Sequence, residues 1–203
     1  MNGNRRQGRG PFRDSGMPII WPRRSRTVNG MNSRTLTPPV IPPHPLVSNG
    51  NWLSGFPLRS FLELGAYRNA PGSARGHARN VLAEWGLGQF ADAVTLVVSE
   101  MITNSVNATE KVTWDAGVPP VRLWMLGGPG AGGAGEVLLV VWDAVAVVPE
   151  MGAAGADDES GRGLGIVHWL SGRQWDCYLP PAPPAGKVTR VLIDHPWRDQ
   201  PPG

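Results

Sequence analysis

The sequence predicts an α+β fold in which helices are layered on a sheet. Three observations carry that expectation. Ala91–Ala108 spaces Val94, Val97, Val98, Met101, Ile102 and Ser105 three or four apart, the period of one helix face. Val137–Trp142 is an unbroken apolar run rich in β-branched residues, the composition of a buried strand. The predicted elements run helix, helix, two strands, loop, helix, two strands, an order that suits two packed layers.

The first 55 residues read as an arm rather than as part of the packed body. They hold eight Pro and seven Gly, with Pro38, Pro39, Pro42, Pro43 and Pro45 close together, and no sustained period. Such a segment buries too little apolar surface to offset its ordering entropy, so it is expected to be disordered, with polyproline II character near Thr37–Pro45. The body is expected at 56–197, followed by a short tail at 198–203.

Within the body, Gly72–Trp85 carries Ala74, Ala78, Val81, Leu82 and Trp85 on one face, and Gly86 and Gly88 stop that helix. Ala91–Ala108 is the second helix. Val121–Leu126 and Val137–Trp142 are strands joined by the Gly-rich run Gly127–Gly135. Ala144–Ser160 is a long irregular stretch, Gly163–Leu170 a short helix, and Gln174–Leu179 and Val188–Ile193 the last strands.

Charge divides along the same boundary. The net +3 conceals eight Arg against Asp14 in residues 1–55, and 11 basic against 15 acidic residues in the remainder. The basic character belongs to the arm, which is suited to nucleic acid or an acidic partner, or is simply solvated. The body is mildly acidic. No apolar run approaches the 18 residues of a membrane span, and the N-terminus shows no signal-peptide stretch. A single cysteine, Cys177, excludes an intramolecular disulfide framework and a Cys-rich zinc site, and fits a reducing, cytoplasmic setting. His77 and His168 read as structural or surface histidines, and the nine Trp residues as packing groups.

Candidate chemistry lies in three places. Glu100 and Asn104 stand one turn apart on the second helix. A carboxamide oxygen suits Mg²⁺, and a carboxylate one turn away could deprotonate a hydroxyl. Asp143 closes a buried strand, where a carboxylate can accept a hydrogen bond from an exocyclic amine. Gly161, Gly163 and Gly165 open a helix after a loop, letting backbone N–H groups approach phosphate oxygens. The last pattern is neither a Walker A nor a Rossmann fingerprint. Each feature taken singly is also what a solvated helix stripe, a loop-starting Asp or an ordinary Gly-rich turn would show.

Taken in order, the three features resemble the Bergerat ATP-binding fold of gyrase-type ATPases, heat-shock chaperones, sensor histidine kinases and anti-sigma-factor serine kinases. Ala74–Leu87 looks like the first helix of the small stand-alone proteins of the anti-sigma type. Ser99-Glu100-Met101-Ile102-Thr103-Asn104-Ser105-Val106 is similar to their SELVTNAV segment, and Gly161-Arg162-Gly163-Leu164 with Trp175 to their GRGL…W segment. The resemblance covers roughly residues 56–195.

The resemblance implies a two-layer sandwich with a mixed sheet and helices on one face. It implies ATP and Mg²⁺ as ligands, Asn104 on the metal and Glu100 as general base toward a protein serine. Asp143 would receive the adenine amine, with Thr189 beneath the ring. Gly161, Arg162, Gly163, Leu164 and Gly165 would hold the phosphates, and Ala144–Ser160 would be the lid. The implied activity is that of a serine/threonine kinase acting on an anti-sigma antagonist and controlling a sigma factor. A homodimer, a non-catalytic ATP-dependent protein-binding module and nucleic-acid binding by the Arg-rich arm remain open.

Overall fold

The computed structural model describes residues 40–42, 53–149, 159–181 and 183–196. Its elements are β1 (Leu58–Gly65), α1 (Ala70–Glu84), α2 (Ala91–Glu110), β2 (Pro120–Gly128), β3 (Glu136–Asp143), α3 (Glu159–Leu170), β4 (Trp175–Tyr178) and β5 (Lys187–Ile193). The fold is α+β, with three helices on one five-stranded sheet of order β1-β2-β3-β5-β4.

Every pairing in that sheet is antiparallel, which corrects the expected mixed sheet. The reason lies in the connections. β1 and β2 are joined by α1 and α2 in succession, two helices that return the chain to the end it left. β3 reaches β5 only through α3 and β4, with β4 turning directly into β5 at the sheet edge.

α1 begins with Pro71 in its first turn, where a missing N–H costs nothing. It ends where Gly86, at φ +71°, takes the left-handed conformation that lets Leu87 N–H reach Leu82 O at 2.9 Å. α2 follows after a single 3-10 turn, Gly88–Phe90, with Asp92 in its first turn, a favourable place for a negative charge. Val94, Val97, Val98, Met101, Ile102 and Val106 of α2 are buried against odd-numbered residues of the sheet, among them Leu123, Met125, Leu139, Val141 and Val191. Alternation within the strands puts these residues on one face.

β1 was not expected. Leu58, Leu62 and Leu64 alternate with Arg59 and Glu63, the period of a half-buried strand, and the Leu residues pack on the helix side.

The opposite face of the sheet is largely apolar as well, with Arg190 buried there and paired to Asp176. Trp124, Leu126, Leu138, Val140, Trp142, Val188 and Leu192 line it, and Ile41, Leu53 and Phe56 are buried with them. Tyr178 Oη donates to Pro42 O at 2.9 Å, and Arg59 donates to Phe56 O and Leu53 O at 3.0 and 3.1 Å. Val40–Pro42 and Leu53–Gly55 fall inside the segment expected to be an unpacked arm, and Ile41 and Leu53 within them are buried against the body. A strand that is apolar along its whole length has two faces to bury, and three helices cover only one. The remainder of the expected arm, most of the polyproline stretch and the 198–203 tail lie outside the described residues.

No helix among the described residues is long and apolar enough to cross a membrane.

Candidate functional site

α2 and α3 lie side by side on the sheet, and their contact assembles the first part of the site. Glu100 and Asn104 project from α2 and are both half-buried. A Cβ built on Gly163 would fall 2.5 Å from Glu100 Oε2, so the carboxylate rests against Gly163 in a position that a larger residue there would displace. Burial pushes the Glu100 carboxyl above the usual carboxylate range. Among the described residues neither Glu100 nor Asn104 has a side-chain hydrogen bond. Beside them, Arg75 of α1 donates to Ser99 Oγ at 2.7 Å and ties α1 to α2 one residue before Glu100.

α3 starts at Glu159, four residues earlier than expected, so the whole Gly-x-Gly-x-Gly run, Gly161 included, lies within its first two turns. Gly163 and Leu164 are buried, and Gly165 is exposed with open space where a Cβ would go. Gly161 belongs to the first turn, and the side chain of Arg162 lies outside the described residues. The expected lid is described over Ala144–Pro149, where the chain leaves β3, and at Glu159 and Ser160, which belong to the first turn of α3.

The second part of the site is built around Asp143, the last residue of β3. It is 1% exposed, and its carboxylate is filled by its own chain. Oδ2 accepts from Ser105 Oγ at 2.7 Å, and Oδ1 from the Val145 N–H at 3.0 Å and from Lys187 Nζ at 2.7 Å. Ser105 comes from the buried face of α2, and Lys187 is the direct cross-strand partner of Asp143. Thr189 does not join this cluster. It pairs with Val141 and Cys177, and its hydroxyl donates to Cys177 Sγ at 3.4 Å. Lys187, two residues earlier on the same face, meets the Asp143 carboxylate instead.

The structure thus brings Glu100 against Gly163, with Asn104 one turn along α2, and ties Asp143 to the next residue, Ser105. Ser105, Lys187 and Arg75 are the residues that sequence reasoning missed. A signal existed for Lys187, a cation opening a mostly apolar strand whose partner strand ends in a carboxylate. None existed for Arg75, whose pairing depends on how α1 crosses α2. Among the described residues no group of three His, Cys, Asp or Glu could hold a metal.

A scan against models of known protein families and a search of curated proteins each returned no match to this chain.

Proposed function

We propose that the chain is an ATP- and Mg²⁺-binding regulatory protein of the anti-sigma-factor serine/threonine kinase type, built on a Bergerat-like sandwich. The observation that carries this reading is the carboxylate of Glu100 set against Gly163, with Asn104 one turn away. The donor set supports the ligands. A carboxamide oxygen and a carboxylate, neither engaged by another described side chain, are hard oxygen groups of the kind Mg²⁺ takes together with phosphate. Asn104 would hold the metal, and the first turns of α3 would face the phosphates. Bound Mg²⁺ would supply charge neutralisation on the phosphoryl group being transferred.

In this reading Glu100 takes the proton of a partner's serine hydroxyl. The serine oxygen forms a new bond to the terminal phosphorus of ATP, and the bond from that phosphorus to the bridging oxygen breaks to leave ADP. A carboxyl raised by burial is a better proton acceptor once ionised than one at the ordinary value. The expected partners are an antagonist protein carrying the serine and a sigma factor, and the expected setting is the cytoplasm.

A second reading, a non-catalytic ATP-dependent binding module, is favoured by one observation: three internal donors already occupy the Asp143 carboxylate. The two separate in a pull-down with ATP, ADP or no nucleotide followed by phosphosite mapping. A serine phosphate on the captured partner, lost in Glu100→Ala, supports the kinase. Nucleotide-dependent capture without phosphate supports the module.

A further inference from the structure

The pairing of Asp143 with Lys187 is the part of the site that this chemistry leaves unexplained. A carboxylate offers about four lone-pair positions. Three are filled here, by donors from α2, from the turn after β3 and from β5. Both members of the pair are buried, Asp143 at 1% and Lys187 at 4% exposure. The other acceptor for the Lys187 ammonium is Val145 O, at 3.5 Å.

Lys187 has no easy retreat. Its register opposite Asp143 is set by the whole β3–β5 ladder, from Val137–Ile193 to Asp143–Lys187. Gly186, just before it, packs so closely on the chain that a Cβ there would fall 2.2 Å from Asp143 O and 2.9 Å from Trp142 Nε1. The lysine backbone is therefore held on both sides.

We infer that Lys187 is a specificity-determining residue: its ammonium completes the occupation of Asp143 Oδ1 and, with Ser105 on Oδ2, leaves about one acceptor position to a nucleobase amine, so the site takes the magnesium-bound polyphosphate of a nucleoside triphosphate with little selection of the base. The inference rests on the nucleotide reading above. A charge-assisted hydrogen bond is roughly twice as strong as a neutral one. Exchanging the ammonium for a neutral amine would also leave a buried cation facing only a backbone carbonyl, which is strongly unfavourable. The polyphosphate end is separate, because none of the hydrogen bonds of the pair involves Glu100, Asn104 or α3.

The test is a thermal-shift titration of the full chain with Mg–ATP, Mg–GTP and Mg–tripolyphosphate, each converted to an apparent Kd. The three are expected to agree within about threefold, and Lys187→Thr, which offers a neutral donor and frees space, to prefer ATP over GTP by about tenfold or more. Lys187→Thr that folds and shows no preference overturns the role of the lysine. If that variant does not fold, Asp143→Asn with Lys187→Met removes both charges and is expected to stay unselective. A preference for either base in that double variant overturns the inference. So does a wild type that prefers ATP by about tenfold and loses the preference in Asp143→Asn. Tripolyphosphate failing where both nucleotides bind overturns it as well. If none of the three ligands raises Tm, the polyphosphate site itself is absent and the proposed function falls with the inference, an outcome distinct from base selectivity.

Discussion

Lys187 Nζ lies 2.7 Å from Asp143 Oδ1, at the register pair where β3 ends and β5 begins. Both side chains are almost wholly withdrawn from water, so each depends on the other for charge compensation. Removing one partner of such a pair costs about 3–5 kcal/mol, whereas replacing both by neutral groups can be nearly neutral. Lys187→Met is therefore expected to lose about that much stability in urea denaturation, and adding Asp143→Asn to restore most of it. A single variant as stable as the wild type would show that the pair contributes nothing.

Gly163 and Gly165 are two residues apart on α3 and should respond oppositely to alanine. At Gly163 the new methyl meets Glu100 Oε2 and displaces the carboxylate, whereas at Gly165 it meets open space. Gly165→Ala is expected to gain about 0.5–1 kcal/mol from helix propensity alone. Gly163→Ala is expected to forfeit that gain and to cut phosphotransfer by about tenfold or more. Equal melting temperatures for the two variants would contradict the close approach of Gly163 to Glu100.

The raised pKa of Glu100 gives a pH signature with a definite sign. Burial disfavours the ionised form, so the native state holds this proton more tightly than the unfolded chain does. The resulting stabilisation is fully present below the unfolded pKa and is lost as pH rises through the higher folded pKa. Glu100→Gln is expected to raise Tm at pH 7, with the advantage vanishing toward pH 4. The acidic limb of phosphotransfer should sit above the ordinary glutamate range. A Tm difference independent of pH would argue against a desolvated carboxylate.

The outer face of the sheet predicts a role in stability for residues that precede β1. Tyr178→Phe removes the hydrogen bond to Pro42 O and is expected to cost about 1 kcal/mol. Ile41→Ala should cost about 2 kcal/mol or more, as for other buried Ile residues. Removing residues 1–42 should cost more than either change and increase binding of a hydrophobic dye. A shortened protein with unchanged Tm and dye binding would show that this cover is dispensable.

Legibility followed how local each determinant is. α2 and β3 were readable because an amphipathic period and an unbroken apolar run are written in consecutive residues. β1 carried the period-2 signal of Leu58, Leu62 and Leu64, but its length and its Gly65 end made it easy to pass over. The cover at Ile41, Leu53 and Phe56 was not legible from its own composition, since Pro and Gly dominate there. It was implied only by Val137–Trp142, whose even-numbered residues needed a partner layer. In the site, Glu100 and Asn104 follow from helix spacing. The occupation of Asp143 by three donors does not, because it needs Ser105, Val145 and Lys187 to converge from three segments.

The contact between Tyr178 and Pro42 joins residues 136 positions apart, with the first partner lying ahead of every strand it helps to cover. During synthesis Pro42 leaves the ribosome long before β3, β5 or β4 exists. It can dock only once nearly the whole domain has emerged. Pro42, made before every element it covers, is thus among the last to find its place. Closing so long a loop delays the final seal on the sheet, because its entropy cost must be met before the contact rewards it. Until that seal forms, the strands present an apolar surface to their surroundings, and the time a nascent molecule spends in that state sets its exposure to chaperones and to aggregation.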